Sequence, residues 1–369
     1  MTAFQIEIQL IAVVVAAACA IPGVFLVLRR MALMSDAISH AILLGIVLGF
    51  FLTRDLASPV LIIAATLSGL LTVALVELVN RTRLVREDAA IGLVFPLLFS
   101  IGVILISRYA GDVHLDTDSV LLGEIAFAPL NRWQPFGYDL GPRSLSLMLG
   151  ILIINIVFIA VFYKELKLAT FDSGLAAAFG FMPGLIHYGL MALVSVTAVG
   201  AFDAVGSILV VALIIAPPAT AYLLTDKLSA MLILSIIIGA LAAVSGFWVA
   251  NWLDASIAGA MATMTGVFFA AVFILAPGRG LLATARRKAR QRREFPQIML
   301  VMHLYTHEKL PEAAVECRRD HLTYHLKWEP AFADSVVSQS EKRGLIRNVD
   351  GLLKLTDSGR KQVQKHIIK

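Results

Sequence analysis

Charge is scarce in this chain. Asp, Glu, Lys and Arg make up 15% of its 369 residues, against about 25% in a typical soluble domain. Because 59% of the residues are apolar and mean hydropathy is +0.83, that scarcity excludes an ordinary soluble globular protein. Cysteine is almost missing too. Cys19 lies in the first apolar run and Cys317 far downstream, which leaves no disulfide framework and no thiolate metal motif. Residues 1–9 contain no Lys or Arg. They lack the basic start of a cleaved signal peptide, so the first apolar run reads as a true span. Nowhere does a Gly-rich loop lead into Lys-Ser or Lys-Thr, so this chain carries no phosphate cradle of that type. The net charge of +5 is no nucleic-acid signature, because in an apolar chain excess Lys and Arg mostly set topology.

What the chain does contain is long apolar runs. A membrane-crossing helix needs about 20 apolar residues. By that rule spans are expected near 8–28, 31–53, 58–79, 89–107, 144–163, 186–204, 207–224, 229–250 and 257–276. Only Ala201-Phe202-Asp203-Ala204-Val205-Gly206 separates the sixth from the seventh, so one broken helix and a re-entrant pair are both open there. One set of loops carries Arg29, Arg30, Arg81, Arg83, Arg86, Lys164, Lys167 and Lys227, the other only Arg54, Arg108, Arg132 and Arg143. The basic set is expected in the cytoplasm, which puts the N-terminus outside and the C-terminus inside. Residues 108–143 then form an external segment. His114, Asp116, Asp118 and Glu124 would dock a partner at the mouth and concentrate cations by electrostatic focusing, while Asp203 adds a charge at the outer end, where a helix end meeting water is the preferred reading.

Asp36 and His40 stand in the middle of the second apolar run. Spacing i, i+4 places them on one helix face. Ionisable groups at bilayer depth are expensive and tend to mark substrate paths, and an oxygen with a nitrogen donor suits a divalent transition metal. An interhelical hydrogen-bonded staple is the competing reading.

After Pro277 the composition changes. A basic linker is expected over 279–294 and a small soluble domain over 295–369. Helices are expected near 298–307, 311–325 and 331–343, then a hairpin with an Asp350-Gly351 turn, then a last helix. Three helices followed by a two-stranded wing is a winged-helix pattern. His303 with His307, and His321 with His325, are each i, i+4, which makes them a candidate regulatory metal site. Residues 331–343 would be the groove-reading helix. Twelve Lys and Arg against nine Asp and Glu over 295–369 is a thin footprint for DNA binding, so a regulatory or dimerising role is preferred.

Three stretches resemble the permease subunits of manganese/zinc/iron ABC importers. They are Val27-Leu28-Arg29-Arg30-Met31-Ala32-Leu33-Met34-Ser35-Asp36-Ala37-Ile38-Ser39-His40-Ala41, Thr170-Phe171-Asp172 with Ala178-Phe179-Gly180, and 204–221 with its Ala216-Pro217-Pro218 core. The likeness covers about 5–278, and the tail resembles the winged-helix part of metal-dependent repressors. It implies an all-α polytopic membrane protein of about nine transmembrane helices (1–278), of the ABC importer permease type, carrying a small α+β winged-helix domain, in a bacterial plasma membrane. It implies a transport subunit rather than an enzyme. The cargo would be Mn, Zn or Fe, with no permanently bound cofactor, and ATP would be hydrolysed on a separate subunit. Implied partners are a second permease subunit, identical or paralogous, cytoplasmic ATPase subunits and an external metal-binding protein. Asp36 and His40 would line the metal path. Phe171, Asp172, Gly174, Gly180 and Pro183 would dock the ATPase. Asp203 departs from the family, which more often has a neutral or basic residue there. A membrane-tethered metal-responsive transcriptional regulator is the alternative.

Overall fold

The computed structural model describes residues 2–54, 58–109, 125–133, 139 and 141–367, with backbone only for residues 59, 203 and 365–367. The chain divides into two compact units, Met1–Gly280 and Leu281–Lys369.

The first unit is helical. It contains α1 (Ala3–Leu28), α2 (Ala32–Thr53), α3 (Pro59–Arg81), α4 (Glu87–Tyr109), α5 (Arg143–Val161), the short α6 (Tyr163–Phe171) and α7 (Ser173–Ala178), α8 (Pro183–Leu224), α9 (Leu228–Leu253) and α10 (Ile257–Leu275). Among the described residues, nine helical segments are long and apolar enough to cross a membrane, α8 supplying two of them. Of these, α1, α3 and α10 start on capping side chains. Ser58 accepts from the Val60 amide and Ser256 from the Gly259 amide. Thr2 and Gln5 cap α1 reciprocally.

α8 settles the sixth and seventh spans. A straight helix of its 42 residues would be about 63 Å long, twice the hydrocarbon thickness of about 30 Å. Its neighbours show that it folds back. Arg29 lies 3.4 Å from His187, and Asn155 joins Ala18 to Thr197, so the first half runs against α1. Gly23 of α1 then abuts Ile214 and Pro218. Residues 187 and 214 thus both flank the last part of α1, although a straight helix would separate them by about 40 Å. The reversal centres on Gly206, whose φ of 74° and ψ of 165° are open essentially to glycine alone. The two halves are therefore antiparallel spans joined at a glycine.

α1 is the axis of the bundle. It packs against α2, α5, α8 and α9, and 83% of its most apolar window is buried, against 17% for α10. Small residues let the helices close up, as expected where lipid removes the hydrophobic drive between helices. A Cβ on Gly45 would collide with the backbone of Ala64 and Ala65, so α2 and α3 meet main chain to main chain. Ser68 ties the same pair by donating to the Ala41 carbonyl at 2.7 Å.

The second unit begins with α11 (Leu281–His307), followed by α12 (Ala313–Glu316), a 3-10 turn (Arg319–His321), α13 (Leu322–His325), α14 (Pro330–Lys342), β1 (Ile346–Val349), β2 (Leu352–Leu355) and α15 (Asp357–Ile367). The strands pair antiparallel from Ile346↔Leu355 to Val349↔Leu352. Asp350 and Gly351 turn between them with φ of 51° and 83°, as an Asp-Gly hairpin requires. Leu300, Val301, Leu304, Leu322, Val336 and Leu353 contribute to a separate core.

Two expectations are corrected here. Residues 281–294 are not a bare linker but the first half of α11, which continues through Pro296. The helix expected over 311–325 is broken into single turns. Its middle is claimed by the sheet edge: Leu353 donates to the Cys317 carbonyl at 2.9 Å, and Arg318 bridges Leu352. A backbone group already in a sheet rung cannot also close a helical turn.

Candidate functional site

Asp36 and His40 lie on α2, one and two turns inside its basic end. His40 Nε2 is 3.4 Å from Asp36 Oδ1, and the side chains are 29% and 39% exposed respectively. The imidazole stacks on Phe95 of α4 at 5.7 Å between centroids and meets the edge of Phe99 at 5.8 Å. α2 stays close to α4 because Gly102 sits against Leu43 and Leu44. The other polar residues of this stretch are used internally: Ser35 donates to the Ala32 carbonyl and Ser39 to that of Ser35. The pair is thus held at the α2–α4 edge, with one side left open in the single chain. An ionisable pair at that depth, oriented by aromatic walls, can offer a carboxylate oxygen and an imidazole nitrogen to a passing cation.

A second cluster surrounds α7. Asp172 caps it, accepting from the Leu175 amide at 2.9 Å. The helix ends in a Schellman-type turn, with Phe181 donating to the Ala176 carbonyl and Gly180 at φ 83°, the left-handed position that favours glycine. Pro183 then opens α8. Gly174, expected with them at the ATPase contact, lies inside α7. The turn presents Phe171, Leu175, Phe179, Met182 and Leu185 outward, each at least 45% exposed. An exposed apolar group of this kind can meet either a protein partner or the membrane surface. Its connection to the bundle escaped the sequence reading: Arg29, at the end of α1, donates from Nε to Thr170 Oγ1 at 3.1 Å and faces His187. In the sequence Arg29 reads as one of the topology-setting basic residues, with no sign of this contact.

The third cluster is in the second unit. His303 and His307 lie 4.5 Å apart between ring centroids, His321 and His325 5.0 Å, and His303 and His325 5.8 Å. The two i, i+4 pairs therefore converge. Burial holds the His303 imidazole below its ordinary pKa. Glu316, which no sequence spacing singled out, joins them with its carboxylate beside His321 and His325. His114, Asp116, Asp118 and Glu124 lie outside the described residues. Asp203 sits in α8 just before the glycine break, and its side chain is outside the description.

Residues 1–276 match ABC-3, the ABC 3 transport family. The chain belongs to that family. It is 49% identical over 353 residues to the zinc transport system membrane protein TroD of Treponema pallidum, covering 96% of each chain. It is 48% identical over 291 residues to the manganese transport system membrane protein MntD of Bacillus subtilis, covering 79% of this chain and 98% of that one. Among solved structures it resembles PsaBC from Streptococcus pneumoniae in complex with Fab, with a TM-score of 0.63, 31% identity, and coverage of 76% of this chain and 94% of that one. This ABC 3 family member is a multi-pass membrane protein, and the likeness to TroD extends well into the second unit.

Proposed function

We propose that this chain is the permease subunit of an ATP-driven importer for a divalent transition metal, with Mn, Zn and Fe as the candidate ions. The observation that carries the reading is the Asp36–His40 pair, half-exposed on an apolar helix edge. Leaving a carboxylate facing lipid is costly, so the open side calls for a cover. A second permease subunit supplies one, and two such pairs across the interface make a four-donor N2O2 set. That set suits Mn, Fe or Zn and disfavours Cu(I). The relatives' names, zinc for TroD and manganese for MntD, support the same cargo class. A path site must also release its ion, which fits two donors per subunit better than a closed cage.

The rest of the machine follows from the other clusters. The exposed apolar turn around α7 docks a cytoplasmic ATPase subunit, and Arg29 links its movement to α1 and α8. An external binding protein delivers the ion at the mouth, near 108–143 and Asp203. The second unit is a cytoplasmic winged helix. Its order of helix, short rung at 317–318, short helices, α14 and hairpin supports that assignment, and its role is regulatory or dimerising. Membership in a transport family speaks against the tethered transcriptional regulator. The test is metal accumulation by cells carrying Asp36→Ala or His40→Ala. Uptake is expected to vanish while the variants still co-purify with their ATPase. Normal uptake in both would overturn the proposal.

A further inference from the structure

The imidazole cluster of the second unit lies outside the apolar spans, and its geometry is that of a site. Glu316 ends α12, His321 ends the 3-10 turn and His325 ends α13. Glu316 Oε2 lies 3.3 Å from His321 Nδ1 and 3.1 Å from His325 Nε2, and all three donor atoms lie within 4.8 Å of one another. Neither approach has hydrogen-bond geometry: Glu316 Oε2 and His321 Nδ1 are both buried with no hydrogen-bond partner among the described residues. Buried polar atoms left so are uncommon and ask for an unseen partner such as an ion. A tetrahedral ion with bonds of about 2.0–2.1 Å has ligand–ligand edges of about 3.4 Å. The two short separations are already close to that size.

The surroundings fix the donors. His303 Nε2 is 3.1 Å from the Glu316 carbonyl oxygen, which can only accept, so this nitrogen carries the proton and positions the residue bearing the carboxylate. His307 Nδ1 is 2.8 Å from the His303 carbonyl and donates for the same reason, leaving its Nε2 as a spare lone pair. Cys317, next in sequence to Glu316, is buried in the hydrophobic core. We propose that Glu316, His321 and His325 bind one divalent late first-row transition ion, with water in the fourth position, His303 orienting Glu316 and His307 as the nearest spare imidazole. Two imidazoles and a carboxylate suit Zn, Co, Ni or Fe(II) and are too rich in nitrogen for Mg or Ca. The ion joins three short elements that hold few helical hydrogen bonds of their own, so its binding stiffens the segment between α11 and α14.

The site is independent of the transport reading, and the test keeps the two apart. The full-length chain is purified in detergent, stripped of metal and titrated with Co(II), both as wild type and with Asp36→Ala and His40→Ala combined. Both proteins are expected to show one equivalent of the visible absorption of a low-coordinate Co(II) centre, abolished by an equivalent of Zn(II). Glu316→Gln and the double variant His321→Ala, His325→Ala are expected to bind at least about tenfold more weakly. Glu316→Gln keeps the shape of the side chain, so it decides the matter even if the double variant unfolds, which circular dichroism would reveal. Absence of the band in the wild-type protein, or unchanged affinity in Glu316→Gln, overturns the proposal. Loss of the band with the Asp36 and His40 substitutions alone overturns it too, by placing the Co(II) in the membrane.

Discussion

Single residues in this bundle act where a polar group meets an apolar helix. Asn155 is fully buried and donates to the Ala18 carbonyl at 2.9 Å and to Thr197 at 3.0 Å, joining α5, α1 and α8. Such bonds in membranes are worth on average about 0.6 kcal/mol, rising to about 1.7. Asn155→Ala is therefore expected to lower thermal stability in detergent by that order while leaving metal uptake in place; a fluorescence-monitored melt measures it. The residue scale is also where the sequence spoke most unevenly. Asp36 and His40 stood out because two ionisable groups one turn apart in an apolar run are rare, although a metal path and a helix–helix staple read alike in the sequence. Glu316 was not, because its partners reach it through the fold and not through helical spacing. Arg29 was half legible: its charge announced a topology, but its hydrogen bond to Thr170 joins positions 141 residues apart.

At the scale of elements, run length carried most of the information. A run of about 20 apolar residues has few alternatives to a spanning helix, and each expected span has its counterpart among the described helices. The reading stopped at the reversal in α8, since a Gly between two apolar runs fits a bend or a turn equally well. The backbone at Gly206 resolves this. Its left-handed φ and extended ψ cost an L-residue about 1–3 kcal/mol. Gly206→Ala is accordingly expected to reduce the yield of folded, membrane-inserted protein, read by size-exclusion chromatography. The misread helix over 311–325 failed for a different reason. Local propensity favoured one helix, and pairing of Cys317 and Arg318 with β2 overrode it.

At the scale of the whole molecule, the chain is two units with separate cores. The relative MntD, 98% of which is matched over 291 residues, shows that the family can do without most of the second. A chain ending at Gly280 is expected to stay folded, with the melting transition of its bundle unchanged in a calorimetric scan. It would also lose the Co(II) centre. The placement of α1 has a consequence for biogenesis. This helix is made before the other described spans, yet it ends up the most enclosed, and its neighbours α8 and α9 reach only to residues 224 and 253. Until those two arrive, the face of α1 that they will cover must be solvated by acyl chains, with only α2 and then α5 beside it. Its capping box and an almost uncharged surface are what let that face idle safely until the rest of the bundle exists.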